Sequence, residues 1–188
     1  MVVFPDLEQP LSGEQVALRF GAERDIPEIL IAHQDDPRLH ARIGDSRPPS
    51  GAELGRRAEE AATERAAAKG VELTIVESGS DDCRGRITVN HVDPETERCG
   101  LRVWVAPQAR GRGFAREALV LAGRWLIDTC GLMRIEILTE TDNAPMQQAA
   151  LAAGFAREGV LRAYWRDPRG RIDAVSFSLL ASDLDGRR

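Results

Sequence analysis

Val103-Trp104-Val105-Ala106-Pro107-Gln108-Ala109-Arg110-Gly111-Arg112-Gly113-Phe114-Ala115 joins an apolar strand to a glycine-rich turn and then opens a helix. A helix start leaves four backbone N–H groups unpaired and carries a partial positive charge, so it holds a phosphate without help from a side chain. Gly111 and Gly113 remove the side chains that would keep an anion away, and they permit a positive φ. Arg110, Arg112 and Arg116 set cations around the same turn in a chain whose net charge is −5. The pattern points to a polyphosphate ligand. It lacks the Gly-Lys-Ser/Thr of a Walker A loop and the spacing of GxGxxG, so ATPase and dinucleotide-binding readings fall away.

Upstream of this turn, Val16 to Phe20 alternates as a strand, and Asp25 with Pro27 opens a helix that Asp36-Pro37 ends. The spacing predicts a loop from Arg38 to Gly51 and a charged helix from Ala52 to Lys69. Three strands follow, Val71 to Glu77, Arg84 to Val92 and Arg98 to Val105, with hairpin-sized spacers between them. Downstream, helical spacing runs from Gly113 to Thr129, Arg134 to Thr139 reads as a buried strand, and Ala144 to Ala153 is a short helix. Two strands, Phe155 to Arg166 and Arg171 to Leu180, close the pattern around Asp167-Pro168-Arg169-Gly170. This order is of the α/β (α+β) class. It predicts a single mixed, mostly antiparallel sheet of about seven strands with helices on both faces.

At 188 residues, 43% hydrophobic and 29% charged, the chain suits one domain with a sizeable core. Its acidic balance argues against nucleic acid as a partner, because phosphate neutralisation needs clustered Lys/Arg. Lys69 is the only lysine among 25 basic residues. Cys83, Cys99 and Cys130 fit neither a metal site nor a disulfide framework, so no metal and a reduced, cytoplasmic setting are expected. No leader pattern opens the sequence, and no apolar run has the ~18 to 20 residues that a membrane helix needs, so no membrane partner is expected.

The Gln108-x-x-Gly111-x-Gly113 spacing resembles the signature of the GNAT superfamily of acetyl-CoA-dependent N-acetyltransferases. A second match, Asn143, a short helix, Gly154-Phe155 and then Glu158-Gly159-Val160-Leu161-Arg162, is similar to the branch containing the ribosomal-protein N-terminal acetyltransferases. The resemblance covers Val16 to Leu184. It implies an acetyltransferase domain over residues 16–184, an N-terminal extension at 1–15 and a tail at 185–188. It also implies a splayed parallel pair made of Arg98 to Val105 and Arg134 to Thr139. Acetyl-CoA would be the co-substrate, with Val103 and Val105 on its pantetheine arm. Gln108, Arg110, Gly111, Arg112, Gly113, Phe114 and Ala115 would surround its pyrophosphate, and Asn143 would contact the pantetheine or order the active-site loop. By itself, Asn143 can also be read as an Asx-turn or a helix cap.

The implied reaction is direct attack by a primary amine in a ternary complex. It needs a base for the amine proton and a donor for the oxyanion, and a leaving thiolate can use an acid. The serine that supplies this acid in relatives is replaced by Met146, which cannot donate a proton. Tyr164 is a substitute acid or a packing residue of its strand. His91 and Glu97, beside the hairpin turn, are candidate bases or turn residues, and His33 and His40 have no distinguishing context. A non-catalytic acyl-CoA-binding module is the alternative that Met146 suggests. The acceptor is a protein N-terminus or a small amine. Asp35, Asp36, Glu59 and Glu60 would suit a cationic acceptor, or they are solvated helix faces. A monomer and a homodimer are both open.

Overall fold

The computed structural model describes residues 1–167 and 170–185. Its strands are β1 (Leu11–Ser12), β2 (Val16–Phe20), β3 (Val71–Glu77), β4 (Cys83–Asp93), β5 (Arg98–Val105), β6 (Arg134–Glu140), β7 (Ala156–Asp167) and β8 (Gly170–Leu180). They form one eight-stranded sheet in the order β1-β2-β3-β4-β5-β6-β8-β7. The strand beyond the expected seven is β1, two residues at the edge and too short to leave a periodic signal. Of the turn expected at 167–170, residues 168 and 169 lie outside the described residues, as do 186–188 of the expected tail.

Every neighbouring pair is antiparallel except β5 and β6. That parallel ladder runs from Arg98 opposite Arg134 to Leu101 opposite Ile137 and then stops. Both strands continue, β5 to Val105 and β6 to Glu140, so the sheet forks at Leu101.

The helices are α1 (Ile26–Asp35), α2 (Leu39–Arg42), α3 (Gly51–Ala66), α4 (Phe114–Arg124), α5 (Ala144–Ala153) and α6 (Ala181–Asp185). The odd positions of β5, Leu101, Val103 and Val105, pack with Phe114, Ala118, Leu119 and Ala122 of α4 and Ala150 of α5. On the opposite face Trp104 packs with Ile29 and Ala32 of α1, Leu39 of α2 and Leu54 of α3. The period of two along β5 thus assigns the two helix groups to opposite faces. The segment expected to be a loop contains α2. Buried Leu39 anchors this single turn, and four residues are too few to show helical spacing. The expected helix to Thr129 is α-helical to Arg124 and ends in a π turn, Trp125–Thr129.

The N-terminal segment runs under the same core. Val2 and Phe4 are buried, the Phe4 ring lies 6.1 Å from Trp125, and the Val3 N–H donates to the Cys130 carbonyl at 3.1 Å. Asp25 precedes α1, but its carboxylate caps nothing in that helix. It accepts from Arg19 Nη2 at 2.6 Å and Nη1 at 3.0 Å, from Thr74 Oγ1 at 2.6 Å and from the Ala22 N–H at 3.0 Å. Burial pushes its pKa up, and these hydrogen bonds together with the Arg19 charge outweigh that and hold it below the ordinary aspartate value.

Cys83, Cys99 and Cys130 are free and buried. Burial raises their thiol pKa values to about 11, about 12 and about 12. Among the described residues, no group of three or more His, Cys, Asp or Glu side chains is arranged to hold a metal, and no helix is long and apolar enough to cross a membrane.

Candidate active site

The fork opens into a cavity of about 580 Å³ between β5, β6, the glycine-rich turn and the start of α5. The Ala106 N–H donates to the Arg84 carbonyl at 2.9 Å, on the β4 side. Backbone groups alternate along a strand, so the N–H groups of Val103 and Val105 face the other way, into the gap that β6 has left. The Val105 carbonyl on that side accepts from Arg110 Nε at 3.0 Å.

The turn that follows has the shape its sequence suggests. Gly111 and Gly113 have φ of +75° and +83°, and a Cβ built on Gly111 would meet nothing within 4 Å. The Glu117 N–H donates to the Gly113 carbonyl at 3.1 Å. The N–H groups before it therefore have no carbonyl of α4 to bond. Arg110 also donates to Asp36 Oδ2 at 2.6 Å, and Arg42 approaches the same oxygen at 3.4 Å. Burial pushes the Asp36 carboxyl up, but Arg110 outweighs it and leaves the pKa below the usual range. Arg112 pairs with Glu77, and its guanidinium lies 4.4 Å from the Phe114 ring centre. Arg116 donates to the Ala152 carbonyl at 3.3 Å.

Of the residues expected to hold a cofactor, Val103, Val105, Arg110, Gly111, Gly113, Phe114, Ala115 and Asn143 line this cavity, whereas Gln108 and Arg112 do not. Asn143 is the N-cap of α5 and accepts the Met146 N–H at 3.4 Å. Met146 lines the wall beside it, and Thr139 carries the only hydroxyl among the described lining residues. Loss of a side-chain cap costs about 1 kcal/mol. Asn143→Ala is accordingly expected to lower the melting temperature by a few degrees, as calorimetry would read.

His91, Glu97 and Tyr164 are not brought together and line neither cavity described here. His91 is exposed near the hairpin end of β4, and the Glu97 carbonyl accepts the Met133 N–H at 2.7 Å. Tyr164 is exposed on the edge strand β7, edge-on to Trp165. Glu158, from the second sequence match, accepts both arms of Arg134 at 2.8 and 2.7 Å and the Ser178 hydroxyl at 2.8 Å. It ties β6, β8 and β7 together.

A smaller cavity of about 70 Å³ adjoins the first through Ile43, Arg102 and Trp104 and is lined also by His33, Asp45, Arg57, Glu72, Arg86 and Thr88. Its floor is the rung Glu72-Thr88-Arg102 and the pair Arg86-Trp104 beside it. The expected acidic wall is absent from the described residues of both linings. Asp35, Glu59 and Glu60 are exposed elsewhere, and Asp36 is held by Arg110. His33 is buried with Nδ1 unpartnered among the described residues. Burial is the largest influence on it and pulls its pKa below 6.5, so the ring is neutral at pH 7. Nothing in the residues flanking His33 singles it out.

Residues 15–156 match the Acetyltransferase (GNAT) domain family, and the chain belongs to that family. It is 29% identical over 114 residues to the uncharacterized N-acetyltransferase p20 of Bacillus licheniformis. That alignment takes in 61% of this chain, which spans about 64% of that relative's length. Among solved structures it superposes on ribosomal-protein-S5-alanine acetyltransferase from Vibrio fischeri with a TM-score of 0.79 and 15% identity, over 94% of this chain and 98% of the other. Against Mycobacterium smegmatis RimJ in complex with CoA-disulfide the values are 0.78 and 20%, over 94% and 91%. The fold, a mixed sheet with one splayed parallel pair, is that of these acetyltransferases.

Proposed function

We propose that residues 16–184 form an acetyltransferase domain that moves an acetyl group from acetyl-CoA to a primary amine. The observation that carries this is the continuity of one cavity from the fork at Leu101 to the glycine-rich turn. Acetyl-CoA supplies the activated thioester. The N–H groups before Glu117, with Arg110 and Arg116, suit its pyrophosphate, and the N–H groups of Val103 and Val105 suit its pantetheine arm and an oxygen that gains negative charge. The amine nitrogen forms the new C–N bond as the C–S bond breaks, and the sulfur leaves as thiolate. With a thiol pKa of about 8.5, that departure does not require an acid. The amine proton passes through water to His33, since this buried neutral imidazole lines the adjoining cavity.

The test has two parts. Calorimetry is expected to detect acetyl-CoA binding, and thiol release is expected with at least one primary amine. His33→Gln is expected to lower kcat at pH 7 by about 100-fold. The wild-type rate should rise with pH through a step below 6.5, as the imidazole deprotonates, and the variant should lack that step. A wild-type profile shared by the variant would remove His33 from the mechanism. Met146 favours the second reading, an acyl-CoA-binding module without turnover, which predicts binding and no thiol release with any amine.

A further inference from the structure

We propose that the smaller cavity is the acceptor subsite for a carboxylate, so that the amine acetylated is a small amino carboxylic acid. This rests on the acetyl-transfer reading above. Arg102 is the first β5 residue past the end of the β5–β6 ladder, at the mouth of the fork, and it lines both cavities. It makes no ion pair or hydrogen bond among the described residues. Arg102 is exposed, and a glycine loop lies beside its guanidinium. In this loop after α2, a Cβ built on Gly44, at φ +81°, would come within 3.4 Å of the Arg102 Cζ.

The charges around the smaller cavity leave one cation over. Glu72 accepts from Arg86 Nη1 at 2.5 Å, and Asp45 lies 3.8 Å from Arg57. Three arginines therefore face two carboxylates, with Arg102 as the arginine that has no partner. Arg86 is only 8% exposed, and its Nε is buried with no partner among the described residues. An unpaired donor in the interior is costly, so the lining carries unmet donor capacity beside its free cation. A carboxylate presents two acceptor oxygens, which suits guanidinium donors. At about 70 Å³ the cavity has room for a group of that size and not for a bulky side chain. Because Arg102 stands at the fork, a carboxylate near it leaves the amine of a short acceptor close to the N–H groups of Val103 and Val105.

The experiment compares L-amino acids with their own carboxamides and with tetrapeptides beginning in Ser, Ala or Met, each at saturating acetyl-CoA. The side chain is the same within a pair, and rates are compared per neutral amine, because loss of the carboxylate lowers the amine pKa. kcat/KM is expected to be about 10- to 100-fold higher for the free acid of the best pair, the range of a charge-assisted hydrogen bond. Arg102→Gln should bring that ratio towards one, through KM. Circular dichroism and acetyl-CoA calorimetry on the variant separate this from misfolding. Carboxamides or tetrapeptides that match the free acids overturn the proposal, as does an acid preference that survives in Arg102→Gln. Absence of turnover with every member while acetyl-CoA binds also overturns it. If acetyl-CoA itself fails to bind the wild type, the acetyl-transfer reading falls, and this inference falls with it.

Discussion

Gly111→Asp should abolish measurable acetyl-CoA binding while leaving a folded protein. The added carboxylate would enter the cradle of N–H groups that the turn presents to a polyphosphate. At an effective dielectric near 20, two like charges 4 Å apart repel by about 4 kcal/mol. About 2.7 kcal/mol already corresponds to 100-fold in affinity. The backbone also contributes, since an L side chain at φ +75° costs of order 1 to 2 kcal/mol. Gly111→Ala carries the backbone cost without the charge, and space around the position is open. Alanine is therefore expected to lower the melting temperature by a few degrees and weaken binding only modestly. Equal affinities for wild type and Gly111→Asp would remove the pyrophosphate from this turn.

The second large effect concerns stability. Asp25→Ala is expected to cost about 3 kcal/mol, the low end of the range for removing one partner of a buried ion pair, because Arg19 keeps its second partner Asp81. It removes one of the two carboxylates on the Arg19 guanidinium, whose side chain is 11% exposed and which keeps Asp81 at 2.6 Å, and it leaves the Thr74 hydroxyl and the Ala22 N–H without their acceptor. Chemical denaturation would read the loss directly, and Asp25→Asn should lose less because it keeps an acceptor. The sign with pH follows from the lowered pKa of Asp25. The contribution is complete above the unfolded aspartate value near 3.9 and disappears as pH falls through the lower folded value. Wild type and variant should therefore converge in stability in strong acid and differ most near neutrality. A constant difference down to pH 2 would contradict the ion-pair account.

Those two positions also mark what could be read in advance. The turn at Gly111 was legible because strand alternation, glycine spacing and helical spacing meet within thirteen residues, and each rests on local geometry. The strands β2, β3 and β5 and the helix α5 begin and end where their spacing says. Asp25 was legible only as a residue before a helix. Its partner Thr74 lies 49 residues away, and nothing local announces that contact. Arg102 and His33 were missed for the same reason. What makes Arg102 notable is its register with Thr88 and Glu72 and the end of the ladder at Leu101, and pairing register is not written in one strand. The acidic residues at 35, 36, 59 and 60 looked suited to a cationic acceptor because they cluster in sequence. The sheet instead presents arginines to the smaller cavity, and helix rotation turns three of the four acids to solvent.

The three cysteines have a practical consequence. The thiolate is the nucleophile in disulfide exchange, and thiols buried and raised to pKa values of about 11 to 12 supply almost none at neutral pH. The native protein is therefore expected to be silent towards a chromogenic disulfide reagent, and in the proposed reaction any colour that grows with time would come from released CoA. Once the chain unfolds, three ordinary thiols per molecule become reactive. The same cuvette thus reports turnover as a steady slope and loss of structure as a step of fixed height, and for Asp25→Ala the two can be followed in a single trace.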